Sequence, residues 1–232
     1  MGVALVEGKA LFVEDDTVYM KPVKGPLKVD CIYRRVDDNF LDPKVFNKES
    51  VIGVPGLFKC WRKGNVGILN AIGTGIADDK VVYSYVNKMI VYYLGEQPIL
   101  NQVETYLCND ENQKKYVIEN ISKLVVKPAN ASGGYGIMIG PKAGKEEREE
   151  VIRKIKNNPR EFIAQPLETL STAPTITKND IEPRHLDLRP FVLSGKSTYV
   201  TTGGLTRVAL RKGSTIVNSS QGGGSKDTLI VE

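Results

Sequence analysis

Short apolar runs separated by turn-forming residues make up the first part of the chain. They predict strands at residues 3–6, 11–13, 18–20 and 29–33, because β-branched and aromatic residues favour strands. The last of these strands runs into a charged cluster at residues 34–38. Ligands bind at the carboxyl ends of strands in open α/β sheets, although an exposed strand end that only carries charge is the alternative.

Helical spacing of apolar residues marks two longer segments. Residues 80–93 and 145–157 place apolar side chains three and four positions apart, as one face of a helix requires. Shorter helices are predicted at residues 43–50 and 111–122. Lys80 would lie at a helix N-terminus, where a cation opposes the helix dipole unless an anion is close. This is a small indication of a ligand.

The C-terminal third favours antiparallel strands. Residues 186–193 alternate polar and apolar side chains, which predicts a strand with its charged residues on one face. Two further strands are predicted at residues 198–202 and 203–210. A polar, proline-containing loop is predicted at residues 171–184.

A glycine-rich loop between two short strands is the feature around which the sequence is organised. The apolar run 124–126 predicts a strand that ends in Lys127, and residues 137–139 predict the next strand. Small loop residues leave backbone N–H groups open enough to wrap an anion, which suits polyphosphate. A glycine-rich hairpin with an incidental lysine is the alternative, and the pattern fits neither a Walker A loop nor a Rossmann fingerprint. The loop residues concerned are Ser132, Gly133, Gly134 and Gly136.

A second extended segment follows the helix predicted at residues 145–157. Residues 161–167 predict a strand that runs into the pair Gln165 and Pro166. An adenine ring needs a backbone N–H and C=O pair on an extended chain between apolar walls, and this segment offers one. A buried strand that merely stops at a proline is the simpler alternative.

Polar residues recur on the predicted C-terminal strands. Arginine forks onto phosphate or carboxylate oxygens, so two arginines on neighbouring strands could hold an acyl-phosphate as it forms. Surface arginines, or a simple pair between Asp187 and Arg189, are the alternatives. The residues concerned are Asp187, Arg189, Arg207, Asn218 and Lys226.

Composition excludes several classes of protein. The chain is 41% hydrophobic and 25% charged with a net charge of +5, which is typical of a globular protein. It has no apolar run of about 18 residues and no basic-then-apolar leader, so neither a membrane span nor secretion is expected. The basic residues form no stripe with aromatics, so nucleic acid is not an expected partner. Three distant cysteines predict reduced thiols in the cytoplasm, and a single histidine disfavours zinc or Ser-His-Asp chemistry.

Motifs along nearly the whole chain resemble the circularly permuted ATP-grasp family, which is related to glutathione and glutathionylspermidine synthetases. The motifs occupy residues 5–8, 32–38, 41–43, 70–71, 75–80, 93–96, 126–128, 132–136, 187–191, 203–209 and 218–227. So many matches in one order are specific for the family and much less specific for its substrate.

The resemblance implies an α/β (α+β) fold of the ATP-grasp type. A pre-ATP-grasp-like, substrate-side lobe would occupy residues 1–100, and a nucleotide-binding lobe with antiparallel sheet would occupy residues 101–232. The implied activity is an ATP-dependent carboxylate–amine or carboxylate–thiol ligase that acts through an acyl-phosphate on a peptide or small molecule. ATP and Mg²⁺ would be the cofactors, and positioning and charge neutralisation would do most of the catalytic work.

The same resemblance assigns roles to individual residues. Lys80 and Lys127 would contact ATP phosphates beneath a flap formed by the loop glycines, and Gln165 with Leu167 would frame adenine. The residues that hold the transferred phosphate and the developing oxyanion would be Arg189, Arg207 and Asn218. The residues on the substrate side would be Arg34, Arg35, Asp37 and Lys226.

The sequence departs from the family in its metal site. The Asp-Asn-x-Arg-type segment that holds two magnesium ions in the family is absent, which leaves Asp187 as the candidate metal ligand. We therefore expect the upstream segment of a longer protein to complete the site. A non-catalytic nucleotide-binding or interaction module is the alternative function.

Overall fold

The computed structural model of the chain describes residues 2–131, 134–177, 180–215, 217 and 222–228. It divides into two compact units, Met1–Tyr83 and Ser84–Glu232. Each unit has its own cluster of buried apolar side chains. The assignment of a substrate lobe and a nucleotide lobe with a boundary near residue 100 stays a prediction.

The first unit combines two small sheets with short helices. Its elements are β1 (Leu11–Glu14), β2 (Thr17–Met20), β3 (Leu27–Lys28), β4 (Cys31–Tyr33), α1 (Asp38–Leu41), α2 (Leu57–Arg62), β5 (Gly67–Leu69) and α3 (Lys80–Tyr83), with 3₁₀ turns at Gly8–Ala10 and Thr74–Asp78. The first three strands form an antiparallel sheet, whereas β4 and β5 run parallel. The buried core residues are Val18, Leu41, Val54, Leu57, Cys60, Val66 and Ile68.

A buried carboxylate fixes the start of α2. Asp42 has no exposed surface, and its Oδ1 accepts hydrogen bonds from the backbone N–H groups of Lys44 at 2.9 Å and Gly56 at 3.1 Å. Its Oδ2 accepts from Gly56 at 3.1 Å and from Phe58 at 3.0 Å. The first N–H groups of a helix have no partner within the helix, and its N-terminus favours an anion. The charge of Asp42 is therefore compensated where it is buried.

The second unit contains two four-stranded sheets and three longer helices among its described residues. Its elements are α4 (Val86–Leu94), β6 (Tyr106–Leu107), α5 (Glu111–Glu119), β7 (Leu124–Pro128), β8 (Met138–Ile139), α6 (Lys145–Asn157), β9 (Phe162–Pro166), β10 (Thr172–Ile176), β11 (Ile181–Ser194), β12 (Thr198–Ala209) and β13 (Gly223–Lys226), with a 3₁₀ turn at Pro159–Glu161. The sheet orders are β6-β9-β7-β8 and β10-β11-β12-β13, and the neighbouring strands in both sheets run antiparallel. Helices α5 and α6 pack on the first of these sheets through Val117 and Ile155, both fully buried.

The mixed α/β fold class with antiparallel sheets is confirmed, and so are β7, β9 and the whole of α6. The strand predicted at residues 3–6 is wrong, because this segment has no regular structure. The helix predicted at residues 43–50 is also wrong; the helical turn lies earlier, at Asp38–Leu41, where the Asp37 carboxylate accepts a hydrogen bond from Asn39 N at 3.0 Å and caps it.

Three C-terminal and central predictions need correction. The polar loop expected at residues 171–184 instead contains β10 and the start of β11. Pro174 and Pro183 lie opposite each other in this pair, and strand β10 is a sheet edge, where proline is tolerated. The two strands expected at residues 198–210 form one strand, β12. The helix expected at residues 80–93 is broken between Tyr83 and Val86, and β-branched and aromatic residues lower its helix propensity.

We expect Asp42→Ala to lower the free energy of unfolding of the first unit by about 2–4 kcal/mol, because several N–H groups lose a buried acceptor. Trp61 is the single tryptophan and lies in α2, so its fluorescence during urea unfolding reports on this unit. Asp37→Ala is the matched control, since this exposed cap accepts from one N–H and should cost about 1 kcal/mol. Equal losses for the two variants would contradict the role of Asp42.

Candidate functional site

Lys127 lies at the end of a buried strand and is held from the neighbouring strand. β7 pairs with β9 so that Val125 lies opposite Gln165 and Lys127 opposite Ile163. The Lys127 Nζ donates a hydrogen bond of 2.6 Å to Gln165 Oε1. Gln165 is 8% exposed, so this contact is made inside the unit.

The other end of the Gln165 amide is also bonded. Its Nε2 donates to Thr105 Oγ1 at 2.8 Å, and the Thr105 hydroxyl donates to the backbone oxygen of Val103 at 3.0 Å. Thr105 immediately precedes β6, which pairs with β9. Sequence reasoning assigned only a framing role to Gln165 and missed Thr105. A glutamine within the apolar run of a central strand was the available signal, because a buried amide requires partners.

The loop after Lys127 joins β7 to β8 in an antiparallel hairpin, with Val126 opposite Met138. Gly134 and Gly136 have φ angles of 80° and 71°, in the left-handed region that favours glycine. At Gly136 a Cβ atom would also lie 3.0 Å from Pro128 Cγ, so the loop passes directly over the strand end. Ser132 and Gly133 lie outside the described residues. Leu167 follows β9 and is 42% exposed.

The predicted cluster on the C-terminal strands is built around an ion pair between Asp187 and Arg207. These residues are cross-strand partners in β11 and β12, and Arg207 donates from Nε at 2.9 Å and from Nη2 to the two oxygens of the Asp187 carboxylate. Arg189 lies further away, with 3.8 Å between its Nε and Asp187 Oδ2. Hydrogen bonding from Arg207 lowers the pKa of Asp187, and Asp187 raises the pKa of Arg207. Two guanidinium groups around one carboxylate leave a net positive charge.

Lys226 and Asn218 are also predicted to belong to the site on this sheet. The ammonium group of Lys226, on β13, donates to the backbone oxygen of Pro174 and to Thr175 Oγ1, the latter at 3.3 Å. Both acceptors belong to β10, so Lys226 ties the last strand of the sheet to the first. Asn218 lies outside the described residues.

In the first unit, Arg34 is used to hold the two parallel strands together. Only 9% of its side chain is exposed. Its Nε donates to the backbone oxygen of Asn70 at 2.6 Å, its Nη2 to that of Ala71 at 2.9 Å, and its Nη1 to that of Val36 at 2.6 Å. Arg34 also forms an ion pair with Asp38. The motifs at residues 32–38 and 70–71 are therefore parts of one network at the carboxyl ends of β4 and β5.

Arg35 is placed differently from its neighbours. It is exposed and lines a largely apolar cavity of about 590 Å³ within the first unit, together with Ile32, Leu41 and Leu57. Asp37 caps α1, as described above. Of the three residues predicted for the substrate side in this unit, Arg35 is thus the one without a structural contact among the described interactions.

Lys80 is the first residue of α3, at the helix start that its position predicted. Partial burial lowers the pKa of its ammonium group, and the carboxylates of Asp79 and Asp78 oppose that effect.

Asp187 has a poor environment for a magnesium ion. Its carboxylate is engaged by Arg207, and the described residues include no group of three His, Cys, Asp or Glu side chains that could hold a metal. Mg²⁺ needs several oxygen ligands in octahedral geometry, so these residues do not fit it and we derive no step through a metal. The metal role of Asp187 stays a prediction.

The order of these elements, with Lys127 at a strand end that precedes a glycine-rich loop, is consistent with an ATP-grasp type of protein. The chain belongs to the circularly permuted ATP-grasp type 2 family, whose profile matches residues 1–209. The resemblance inferred from the motifs is therefore confirmed.

Several relatives align with the whole chain. An uncharacterized protein of Synechocystis sp. is 54% identical over 233 residues, which cover 100% of this chain and 48% of that protein. An uncharacterized protein of Mycobacterium tuberculosis is 52% identical over 232 residues, 100% of this chain and 42% of that protein. A Frankia casuarinae protein named "Putative glutamate–cysteine ligase 2-2" is 48% identical over 231 residues, 99% of this chain and 27% of that protein. The chain thus spans half or less of the length of these relatives.

No helix in the described part of the chain is long and apolar enough to cross a membrane.

We expect Asp187→Asn to destabilise the second unit by roughly 1–2 kcal/mol at neutral pH, through loss of the charged pair with Arg207. The folded pKa of Asp187 lies below the reference value of 3.8, so its contribution is fully present above that pH and is lost as the pH falls through the lowered pKa. Denaturant unfolding followed by circular dichroism should therefore separate the variant from the parent most at about pH 7, and the difference should shrink as the pH is lowered towards about 2. Glu168→Gln, at an exposed position, is the control and should leave stability unchanged at both pH values. A difference that persisted in acid would exclude the charge as its cause.

Proposed function

We propose that this chain is part of the catalytic core of an ATP-dependent carboxylate–amine or carboxylate–thiol ligase that acts through an acyl-phosphate on a peptide or small molecule. Membership of the ATP-grasp family supports the use of ATP, and the name of the Frankia casuarinae relative, "Putative glutamate–cysteine ligase 2-2", supports ligation. The observation that carries the proposal is Lys127, held at a strand end next to a loop that requires glycine.

The second unit offers groups suited to each part of ATP. Lys127 and the backbone N–H groups of the loop would bind phosphate oxygens, because both are fixed donors at one strand end. The extended backbone from Gln165 to Leu167 would frame the adenine ring. Lys80, in the first unit, stays a proposed phosphate ligand.

The arginine cluster suits the charge that develops during phosphoryl transfer. The γ-phosphoryl group of ATP would pass to a substrate carboxylate oxygen, giving an acyl-phosphate and ADP. Attack of an amine or thiol on the acyl carbon would then release phosphate. Arg207 and Arg189, with Asn218, would stabilise the negative oxygens, and Asp187 keeps Arg207 in a fixed orientation.

The remaining residues have proposed roles of the same kind. Arg35 is the best placed of the substrate-side residues for a carboxylate. Both Arg34 and Arg35 border the apolar cavity of the first unit, but the guanidinium group of Arg34 is engaged by backbone oxygens and Asp38. Lys226 remains a proposed substrate contact, although its ammonium group is bonded to β10. Mg²⁺ would bind through residues of the longer protein, to which this chain corresponds over half of the length or less.

A second candidate function is favoured by one observation. The Asp187 carboxylate, the candidate metal ligand of this chain, is engaged by Arg207. A chain with this arrangement could bind a nucleotide without turning it over. The two functions differ in whether an acyl-phosphate forms.

We expect Lys127→Ala to weaken ATP binding by about tenfold to a hundredfold, because a charged hydrogen bond to phosphate is lost. Isothermal titration calorimetry of the chain with ATP measures this directly. Lys123→Ala removes an exposed lysine from the same region and should leave the affinity unchanged. Equal ATP affinity of Lys127→Ala and the parent chain would remove the phosphate role of Lys127.

We expect the full-length protein, incubated with ATP, Mg²⁺ and glutamate, to form a hydroxamate when hydroxylamine is present, because hydroxylamine traps acyl-phosphates. Glutamate is the first probe because of the name of the Frankia casuarinae relative. Arg207→Lys should reduce hydroxamate formation at least about tenfold, since a single ammonium group cannot replace the guanidinium fork. ATP binding without hydroxamate from glutamate or other amino acids would instead support the non-catalytic module.

A further inference from the structure

We propose that Thr105 and Gln165 form a positioning relay that holds the ammonium group of Lys127 in the direction required for nucleotide phosphate. This inference rests on the proposed function for the identity of the ligand. The relay itself is a chain of three hydrogen bonds that ends on the backbone oxygen of Val103.

The chemistry of the donors gives the relay a single direction. A lysine ammonium group has only donors, so the group that faces Lys127 must be the oxygen of the Gln165 amide. The nitrogen of that amide then faces Thr105. The Thr105 hydroxyl hydrogen is committed to Val103 O, so its oxygen is the acceptor that Gln165 Nε2 requires. Both ends of the chain therefore demand the same orientation of the amide.

Burial makes this orientation costly to change. Gln165 is 8% exposed. If its buried amide loses one partner, the unsatisfied group costs the protein the free energy of its desolvation. The three side chains also come from adjacent parts of one sheet: Thr105 precedes β6, and Gln165 and Lys127 lie on β9 and β7. The relay thus links the Lys127 side chain to a sheet edge two strands away.

A neutral acceptor suits this position better than a carboxylate would. The Gln165 oxygen is a neutral acceptor, so it orients the ammonium group without placing a negative charge beside it. A glutamate here would pair with Lys127 and compete with phosphate oxygens for the same charge. The side chain of Gln165 is therefore expected to matter for phosphate, whereas its backbone, which the variants keep, would frame the base of the nucleotide.

Acylation with acetic anhydride, followed by mass spectrometry, tests the relay without any nucleotide. In Gln165→Met and Thr105→Val, which match the replaced side chains in size, we expect Lys127 to react several-fold faster because its acceptor is lost or free to turn. Exposed Lys123 is the internal reference and should not change. Thr105→Ser retains the hydroxyl and should restore the parent rate. Circular dichroism checks that each variant is folded.

Calorimetry then tests the consequence for binding. Gln165→Met and Gln165→Glu should weaken ATP by about tenfold and leave adenosine unchanged, and Thr105→Val should have a smaller effect of the same kind. A parent-like rate of Lys127 acylation in both Gln165→Met and Thr105→Val would overturn the relay. The relay would also be overturned if Lys127→Ala bound ATP more weakly while Gln165→Met bound ATP as tightly as the parent chain. No effect of Lys127→Ala on ATP, with faster acylation in the relay variants, would instead overturn the proposed phosphate role while the relay stood.

Discussion

A polar group buried inside a protein needs a partner for each donor and acceptor, and the second unit depends on how this requirement is met at Gln165. Gln165 sits on β9, with β6 on one side and β7 on the other. Its amide satisfies both sides at once, through Thr105 and Lys127. The same hydrogen bonds therefore link strands β6, β9 and β7 and set the direction of the Lys127 side chain. The glycine loop follows directly after this held end of β7.

The same requirement separates architecture from candidate chemistry in the first unit. Arg34 and Asp42 belong to motifs that mark the family, yet backbone atoms engage the charged group of each, and Arg34 also pairs with Asp38. Such residues shape the strand ends and the start of α2. Arg34 and Arg35 both border the cavity of the first unit, but Arg35 has no such contacts among the described interactions. A match to a family motif therefore does not by itself tell a structural residue from a candidate substrate-binding residue.

In the arginine cluster on β11 and β12, a carboxylate orients a guanidinium group while the cluster as a whole stays positively charged. Asp187 aligns Arg207 through two hydrogen bonds, and Arg189 adds a second guanidinium group nearby. One acid between two bases leaves the cluster positive, which suits the oxygens of a phosphoryl group. A metal ion would have to compete with Arg207 for the same carboxylate oxygens, which is why the chemistry of this cluster is better described through its arginines.

The sequence by itself determined the elements whose patterns are local. The amphipathic spacing of residues 145–157 and the apolar run before Lys127 sufficed for α6 and β7, because helix and strand periods are properties of neighbouring residues. The ordered motifs likewise sufficed for the family. Local patterns failed where the position of a segment in the fold decided its structure. Strand β10 carries a proline, which a strand tolerates only at a sheet edge. The helix expected at residues 43–50 is replaced by an earlier one, which Asp37 caps.

Only the tertiary structure decided which polar residues meet. Asp187 lies two residues from Arg189, but its carboxylate is held by Arg207 from the neighbouring strand, because the cross-strand register brings that side chain closer. Gln165 is 38 residues from Lys127 and 60 from Thr105, and strand order joins all three. Such contacts depend on strand register and burial, which no local spacing in the sequence encodes.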